Sequence, residues 1–253
     1  LVTDNSQYLE TTYKFYKKYI DQVIDIPPVH TEQKRIFLDG VYATKKLPWK
    51  NHSTPDCYNL TPFDETIVLD VDFIICNDKL LNCFKMGQDF LIYRQPTDIA
   101  KTLRRLQKFD RISDRSIDMW WATGFSFKKT DFMAMYFNLI QHIKDNWSYY
   151  RLMYQIPNNN YRNDFSFSMA VHILNGTVAF KVPSLPIDYL NNSFDLDEVF
   201  RVNNSRDIIM YCAKPENTQE HVLARFNNTD IHIMNKKSIE RVIDDFLVSG
   251  SVK

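Results

Sequence analysis

Glycine is scarce in this chain, which contains only 5 glycines among its 253 residues. The phosphate-binding P-loop and the dinucleotide-binding fingerprint each need several clustered glycines, because the backbone must approach the phosphates closely. The sequence therefore excludes both devices. If the protein binds a nucleotide, it does so through a different arrangement of residues.

Clustered cysteines, long apolar runs and a net charge are also lacking. The 4 cysteines have no CxxC spacing and are too scattered for a zinc site or a disulfide framework; they are Cys57, Cys76, Cys83 and Cys212. We expect reduced, mostly buried thiols. No run approaches the roughly 18 apolar residues of a membrane helix, and the N-terminus has no signal pattern, which predicts a soluble cytoplasmic protein. Basic and acidic residues each number 31, so no one-sign field favours nonspecific nucleic-acid binding.

Strand and helix patterns alternate along the chain. Strands are predicted at residues 34–38, 67–69, 89–93, 119–127, 178–182 and 207–211. Helices are predicted at 7–23, 78–84 and 132–143, from an Asn163 cap to Asn175, and at 239–247 with Ser238 as N-cap. Residues 43–62 are polar and interrupted by prolines, which predicts a loop. The alternation predicts an α/β fold, a single domain over 1–253 with a mostly parallel central sheet flanked by helices.

Two aspartates stand where a buried strand should end. The run Ile67-Val-Leu69 is typical of a strand covered on both faces; Asp70 and Asp72 follow it, and apolar residues resume at Phe73. Burying carboxylates is costly unless each is paired or bound to a metal. Ligands of such sheets bind at the carboxyl ends of strands. The pattern therefore indicates a functional site, the alternative being a strand-end turn with solvated acids.

The segment around these aspartates resembles a known family. Thr61-Pro-Phe-Asp64 followed by Thr66-Ile-Val-Leu-Asp70-Val-Asp72 is similar to the Asp-x-Asp segment of GT-A glycosyltransferases. The resemblance implies a nucleotide-sugar donor, with a UDP-sugar favoured, and Mn²⁺ or Mg²⁺. It assigns Asp70 and Asp72 to the metal, the diphosphate and the ribose. It also implies a Rossmann-like domain, with the donor bound by about residues 1–125 and the acceptor side and C-terminal helix in about 126–253.

A second match lies near the C-terminus, in Asp230-Ile-His232-Ile-Met-Asn-Lys236-Lys237. GT-A enzymes resembling this chain supply a late histidine as third metal ligand and a nearby lysine to the diphosphate. His232 is then the candidate ligand, and Lys236 or Lys237 the phosphate partner. Imidazole and ammonium suit these roles chemically. The alternative is a strand-end histidine followed by a basic helix start.

A third match, Tyr161-Arg162-Asn163-Asp164, resembles the acceptor-side helix start of these enzymes. Asp164 is the candidate catalytic residue, as acceptor-orienting group or base, and Arg162 or Asn163 would hold the donor sugar. The alternative for Asp164 is helix capping. The aromatic strand with Trp120, Trp121 and Thr123-Gly124 is a candidate wall of the sugar pocket, and its alternative is core packing.

The chain departs from the family at its start. GT-A domains open with a strand and helix that grip the nucleotide base, whereas Leu1-Val-Thr-Asp4 resembles the second strand. The first strand–helix unit is therefore expected to be missing. Thr3 and Asp4 are the residues expected to remain from that edge of the nucleotide site.

These matches predict a metal-dependent glycosyltransferase acting on an unidentified acceptor: a glycan, a protein, a lipid-linked sugar or a modified DNA base. Lys101, Arg104, Arg105 and Lys108 are a candidate local basic face for DNA. Two alternatives stay open: a noncatalytic GT-A-like binding or assembly protein, and a sugar-phosphate nucleotidyltransferase, although the glycine-rich signature of the latter is absent. The residue usage is typical of an AT-rich genome, as in some bacteriophages.

Overall fold

The structure is a computed structural model. It describes residues 1–12, 16–28, 30–40, 43–50, 53–94, 96–99, 111–113, 117–157, 159–175, 182–188, 190–214 and 220–249. The candidate basic face at Lys101, Arg104, Arg105 and Lys108 lies outside these residues. So does nearly all of the strand predicted at 178–182.

Strands are spread over the whole described chain. They are β1 (Val2–Thr3), β2 (Ile24–Asp25), β3 (Lys34–Asp39), β4 (Ala43–Pro48), β5 (Glu65–Leu69), β6 (Phe73–Ile74), β7 (Phe90–Tyr93), β8 (Pro96–Asp98), β9 (Trp121–Lys128), β10 (Leu190–Asn192), β11 (Glu198–Asn204), β12 (Asp207–Ala213), β13 (His221–Asn227) and β14 (Ile231–His232).

The longer helices lie between β9 and β10, and two shorter helices follow β14. The helices are α1 (Ser6–Thr12), α2 (Cys57–Leu60), α3 (Asp131–Asp145), α4 (Trp147–Met153), α5 (Asn163–Leu174), α6 (Lys236–Arg241) and α7 (Ile243–Ser249). Short 3-10 helices occur at Tyr16–Lys18, Thr54–Asp56 and Lys79–Lys85. No helix in the described ranges is long and apolar enough to cross a membrane.

The sheets contain both parallel and antiparallel pairs. One sheet has the order β5-β9-β7, and β9 is antiparallel to both neighbours. A second has the order β6-β14-β10-β8, with parallel pairs except at β6. The pair β1-β2 is parallel, whereas β3-β4 and β11-β12-β13 are antiparallel. The mixed α/β class is confirmed, but a mostly parallel central sheet is not evident, because antiparallel β9 lies between β5 and β7.

Two apolar clusters support these sheets. The larger one joins β9 to α3 and α5 through a group of buried aromatic rings, with Phe125 and Phe167 centred 4.9 Å apart. Helix α3 reaches it through Met133, Phe137 and Ile140, at the spacing of one helix face. The smaller cluster lies under β12 and β14. The end of β5, which precedes the conspicuous carboxylates, and β14, which carries His232, therefore both pack on apolar clusters.

The predicted loop at 43–62 is wrong in part, because β4 and two helical turns lie inside it. All six side chains of β4 are exposed, so this edge strand carries no apolar alternation. Its register with β3 comes from backbone pairing from Lys34↔Pro48 to Asp39↔Ala43. Proline is tolerated at the end of such an edge strand.

Helix ends also differ from the prediction. The first helix ends at Thr12 and β2 begins at Ile24, so residues 7–23 do not form one helix. Arg162, not Asn163, is the N-cap of α5, and Asn235 rather than Ser238 caps α6, because its side chain accepts a hydrogen bond from the Ser238 amide. The cysteine prediction is confirmed: all four are free, and three are buried.

Candidate metal centre

The candidate centre lies at the turn that joins β5, in the sheet β5-β9-β7, to β6, in the sheet β6-β14-β10-β8. Strand β5 ends at Leu69, and the amide of Asp70 still donates to the Thr123 carbonyl on β9, at 2.9 Å. The chain then turns, with the Phe73 amide donating to the Asp70 carbonyl at 3.0 Å, and enters β6. Asp70 and Asp72 thus flank a tight turn between two sheets. Val71, between them, is exposed.

Strand β14 brings His232 to this turn from the far end of the sequence. It pairs antiparallel with β6, so that His232 is opposite Phe73, and parallel with β10, so that His232 is opposite Asn192. The Ile233 amide donates to the Asp72 carbonyl at 2.9 Å. Backbone pairing therefore places His232 beside Asp72.

Three side chains converge at this point. The Nε2 atom of His232 lies 3.2 Å from Oδ1 of Asp72 and 3.9 Å from Oδ2 of Asp70. One ligand atom from each of Asp70, Asp72 and His232 lies within 4.8 Å of the others. Asp72 and His232 are buried, with 5% and 4% of their surface exposed, and Asp70 is half-buried. We call these three residues the Asp-Asp-His cluster.

Asn192 determines which ring nitrogen of His232 is directed at the carboxylates. Its Oδ1 lies 2.6 Å from Nδ1 of His232, and its Nδ2 donates to the Ser193 carbonyl at 2.9 Å. Because Nδ2 donates elsewhere, Oδ1 is the atom facing the ring, and Nδ1 must carry the hydrogen. Nε2 is thereby directed at Asp70 and Asp72. An amide or carbonyl that orients a ligating histidine in this way is a common feature of metal sites.

The two candidate lysines are the first two residues of α6, but their side chains have different partners. The Nζ atom of Lys236 lies 3.2 Å from Oδ2 of Asp72, on the oxygen that does not face His232. Lys237 instead forms an ion pair with Glu240 on the exposed side of α6. Since Asn235 caps the helix, Lys236 is its first residue and the one that reaches the cluster.

The neighbours of the two carboxyl groups shift their pKa values in opposite directions. Burial raises the pKa of Asp70 to about 7; the charges of Asp72 and Asp164 add to this, while His232 opposes it. Burial also acts to raise the pKa of Asp72, but His232 and Lys236 outweigh it and lower that pKa to about 2. Asp72 is thus held as a carboxylate, whereas at Asp70 the effect of burial outweighs that of His232 and Lys236.

The donor set fits a divalent cation. Two carboxylate oxygens and one oriented imidazole nitrogen lie close together, and a cation there would offset the burial of the carboxylate that raises the pKa of Asp70. Oxygen-rich sets with a single imidazole suit Mn²⁺. The residues that would hold it are Asp70, Asp72 and His232.

Asp164, at the start of α5, lies on the β9 side of the cluster. Its Oδ1 accepts from the Ala122 amide at 2.9 Å, next to the Thr123 residue that contacts Asp70. Its Oδ2 lies 2.6 Å from Nη2 of Arg162. Both carboxylate oxygens therefore have partners, and the charge of Asp164 reaches Asp70.

The remaining predicted residues lie in different surroundings. Thr3 ends β1, and its Oγ1 accepts from the Asn5 amide at 3.1 Å, while Asp4 pairs with Lys50 at 3.5 Å. No described hydrogen bond or ion pair joins either residue to the cluster. Trp120 and Trp121 are buried in the larger apolar cluster. At Gly124, an added Cβ would lie 3.1 Å from the Leu69 side chain, so this glycine permits close packing of β9 on β5.

Two residues at the site were not identified from the sequence. Asn192 lies in a polar stretch whose spacing carries no signal of a site. Arg35, on β3, belongs to an alternating segment that resembles any amphipathic strand, yet its guanidinium is affected by the charges of Asp164 and Asp72. Asn192 is brought to the cluster by the pairing of β10 with β14, and β3, which carries Arg35, is attached to the loop before α5. Local sequence reveals neither contact.

Known proteins give no further guidance here. Comparisons with protein-family models, with curated proteins and with solved structures found no match. The geometry of the site is therefore the basis for assigning a function.

Proposed function

We propose that this protein is a metal-dependent glycosyltransferase of the GT-A type, which transfers a sugar from a nucleotide-diphosphate sugar to an acceptor. The observation that carries the proposal is the Asp-Asp-His cluster with Lys236 at its edge. The Asp-x-Asp turn after β5 and the late His-then-Lys segment were each expected from the resemblance. Their meeting in space supports the reading that they act as one site.

The chemistry of this reaction requires stabilisation of a leaving group. When the glycosidic bond to the diphosphate breaks, negative charge grows on the phosphate oxygens, and a bound divalent cation supplies Lewis-acid stabilisation of that charge. Asp72 and Asp70 would hold the cation with His232. Because Asn192 fixes the imidazole, His232 needs no rearrangement to ligate through Nε2.

Lys236 would stabilise the same leaving group through its own positive charge. Its ammonium group is on the solvent-facing side of Asp72, with 55% of the side chain exposed. A lysine in that position can donate to a diphosphate oxygen while its stem keeps the charge close to the cluster. Lys237 is not assigned this role, since Glu240 is its partner.

Asp164 is assigned to the acceptor side of the site. Its oxygens hold the Ala122 amide on β9 and the guanidinium of Arg162. These contacts make Asp164 a positioning residue first, and any proton transfer to it would have to compete with Arg162.

The deciding experiment is calorimetric titration of UDP and GDP with and without Mn²⁺. For the wild-type protein we expect metal-dependent binding, with UDP preferred. Asp72→Ala should abolish the metal dependence because it removes the central carboxylate. Asp64→Ala is the matched control: this exposed aspartate lies six positions before Asp70, and its replacement should leave binding unchanged.

Turnover separates the enzyme from its alternatives. A glycosyltransferase should slowly hydrolyse a UDP-sugar in the presence of Mn²⁺, whereas a noncatalytic binding protein should bind it without turnover. Release of pyrophosphate from a nucleoside triphosphate and a sugar 1-phosphate would instead identify a nucleotidyltransferase. Absence of nucleotide binding under all these conditions contradicts the proposal.

A further inference from the structure

The hairpin β3-β4 connects the two sides of the candidate site. At its start, the Oε1 atom of Gln33 accepts from the Tyr161 amide at 3.2 Å, and Nδ2 of Asn160 donates to the Lys34 carbonyl at 3.2 Å. At the end of β3, Asp39 receives two hydrogen bonds of 2.9 Å from Arg241 on α6. Strand β3 therefore runs from the loop before α5 to the helix that begins with Lys236.

Arg35 lies on this strand, next to the contacts with the loop before α5. Its guanidinium carbon is 4.9 Å from the centre of the Trp49 ring and 5.6 Å from that of Phe37, so the group is stacked on aromatic faces. Within the described part of the chain, it has no hydrogen bond and no ion pair. A guanidinium carries five N–H donors, and a half-buried one without acceptors is unusual.

Arg162 supplies a second guanidinium in the segment that contacts the start of β3. The contacts of Gln33 with Tyr161 and of Asn160 with the Lys34 carbonyl attach the residues just before Arg162 to the residues just before Arg35. Arg162 itself lies over Trp121 and Phe165, at 5.9 and 5.2 Å, and pairs with Asp164.

The electrostatics of Arg35 agree with this placement. Burial is the largest cause that lowers its pKa, and the charge of Arg162 is the next. The charges of Asp195, Asp164 and Asp72 act in the opposite direction. The charges of Arg162, Asp164 and Asp72 therefore all act on Arg35, which agrees with the attachment of β3 to the loop before α5.

We propose that Arg35 and Arg162 form an oxyanion subsite beside the Asp-Asp-His cluster, and that it binds a carboxylate or phosphate group of the second substrate. The planar fork of a guanidinium matches both groups with two parallel hydrogen bonds, and stacking on Trp49 holds the fork in place. The diphosphate of the donor would bind Lys236 and the cluster, on the α6 side. An acidic acceptor would use the α5 side. The assignment of the anion to a second substrate rests on the proposed function.

A metal-free titration tests the subsite independently of the glycosyltransferase proposal. Inorganic phosphate is titrated into the protein in EDTA, and binding is followed by tryptophan fluorescence, since Trp49 and Trp121 lie against the two arginines, and by calorimetry. We expect saturable binding by the wild type. Arg35→Met keeps the apolar stem over Trp49 and should weaken phosphate about 10-fold or more. Acetate should also bind the wild type and should bind Arg35→Met more weakly, because the subsite is proposed for a carboxylate as well as a phosphate.

Three variants locate the bound anion. Lys46→Met removes an exposed cation from the same hairpin, opposite Ile36, and should leave phosphate binding unchanged. Asp64→Ala, which removes an exposed acidic group before β5, should also leave it unchanged. Arg35→Lys keeps the charge without the fork and should give intermediate affinity, which excludes misfolding as the cause.

Several results would overturn the proposal. Wild-type phosphate affinity in Arg35→Met, or loss of affinity in Lys46→Met, places the anion elsewhere. Loss of UDP binding with Mn²⁺ in Arg35→Met assigns Arg35 to the donor diphosphate instead. A selective loss of UDP-glucuronate relative to UDP-glucose assigns it to an acid group on the transferred sugar. If nucleotide binding fails in every variant but phosphate behaves as expected, the subsite stands and the glycosyltransferase proposal fails.

Discussion

The carboxylates of Asp70 and Asp72 are two positions apart, but their neighbours give them different properties. Asp72 receives His232 on one oxygen and Lys236 on the other. The closest carboxylate oxygen of Asp70 lies 3.9 Å from Nε2 of His232, and the charges of Asp72 and Asp164 help to raise the pKa of Asp70. A cation bound between them would therefore interact with one preformed carboxylate and would draw the second into its charged form.

Asn192 tests whether orientation of the imidazole matters for metal binding. Asn192→Ala removes the atom that faces Nδ1, so His232 loses its fixed tautomer and angle. We expect Mn²⁺ affinity, measured by calorimetry, to fall by about 10- to 100-fold. The neighbouring Asn191→Ala is the control, because its side chain donates to the Asp230 carbonyl and not to the cluster. Equal losses in both variants would show that the effect is structural.

The adjacent lysines offer a second residue-scale comparison. Lys236→Met should weaken UDP binding in saturating Mn²⁺ about 10-fold, because one charge-assisted hydrogen bond to the diphosphate is lost. Lys237→Met removes the same charge one position away, where Glu240 is the partner, and should have little effect. The measurement is the UDP dissociation constant by calorimetry. If both variants weaken UDP equally, general charge rather than the position of Lys236 is responsible.

Strand β4 and strand β5 show what can and cannot be inferred about elements from local sequence. Strand β5 was predicted from its apolar run, and the structure confirms a strand there, although its residues are half-buried at the edge of a sheet rather than covered on both faces. Strand β4 was missed because its side chains are all exposed and only its backbone pairing with β3 defines it. On β3 itself, Ile36 is exposed and Arg35 is half-buried. Hydrophobic alternation would therefore predict that Ile36 is buried and Arg35 exposed, which is the reverse of what the structure has. The candidate oxyanion subsite could not be found from that pattern.

The end of β3 is predicted to be sensitive to substitution at Gly40. This residue has φ +59°, and an added Cβ would lie 2.2 Å from Oε1 of Glu198, whose other carboxylate oxygen, Oε2, accepts from Arg241. Left-handed backbone costs an L-residue roughly 1–2 kcal/mol. Gly40→Ala should lower the free energy of unfolding by more than that, because Glu198 must also move. Urea denaturation measures the difference.

Gly87 provides the matched control for this prediction. It has φ +66°, but nothing lies within 4 Å of its added Cβ. Gly87→Ala should therefore show the backbone cost alone, roughly 1–2 kcal/mol. Equal losses of unfolding free energy at the two glycines would contradict the crowding inferred at Glu198.

At the scale of the whole molecule, the site assembles from segments far apart in the sequence. The Asp-x-Asp turn, the late histidine and the lysine could each be proposed from local motifs. Their distances could not, because they depend on β14 pairing between β6 and β10. The same pairing brought in Asn192, which has no motif of its own. Sequence could thus nominate ligands, whereas strand order and register determine the neighbours that orient them.

This dependence predicts that metal binding stabilises the entire fold. A cation held by Asp70, Asp72 and His232 links the turn after β5 to β14, and unfolding separates these segments. A ligand that binds only the folded state at 100 times its Kd adds about 2.7 kcal/mol, which should raise the Tm by roughly 5–10 °C for a domain of this size. Thermal denaturation with Mn²⁺, and again after EDTA, measures the shift.

The variants decide whether that shift arises at the cluster. Asp72→Ala should abolish the Mn²⁺-dependent rise in Tm, because the carboxylate shared by His232 and Lys236 is gone. Asp64→Ala, which removes an exposed acidic group at the other end of the same segment, should retain it. A rise that persists in Asp72→Ala would mean that Mn²⁺ stabilises the protein through another site, and the assembly argument would then no longer support a metal-dependent reaction at this turn.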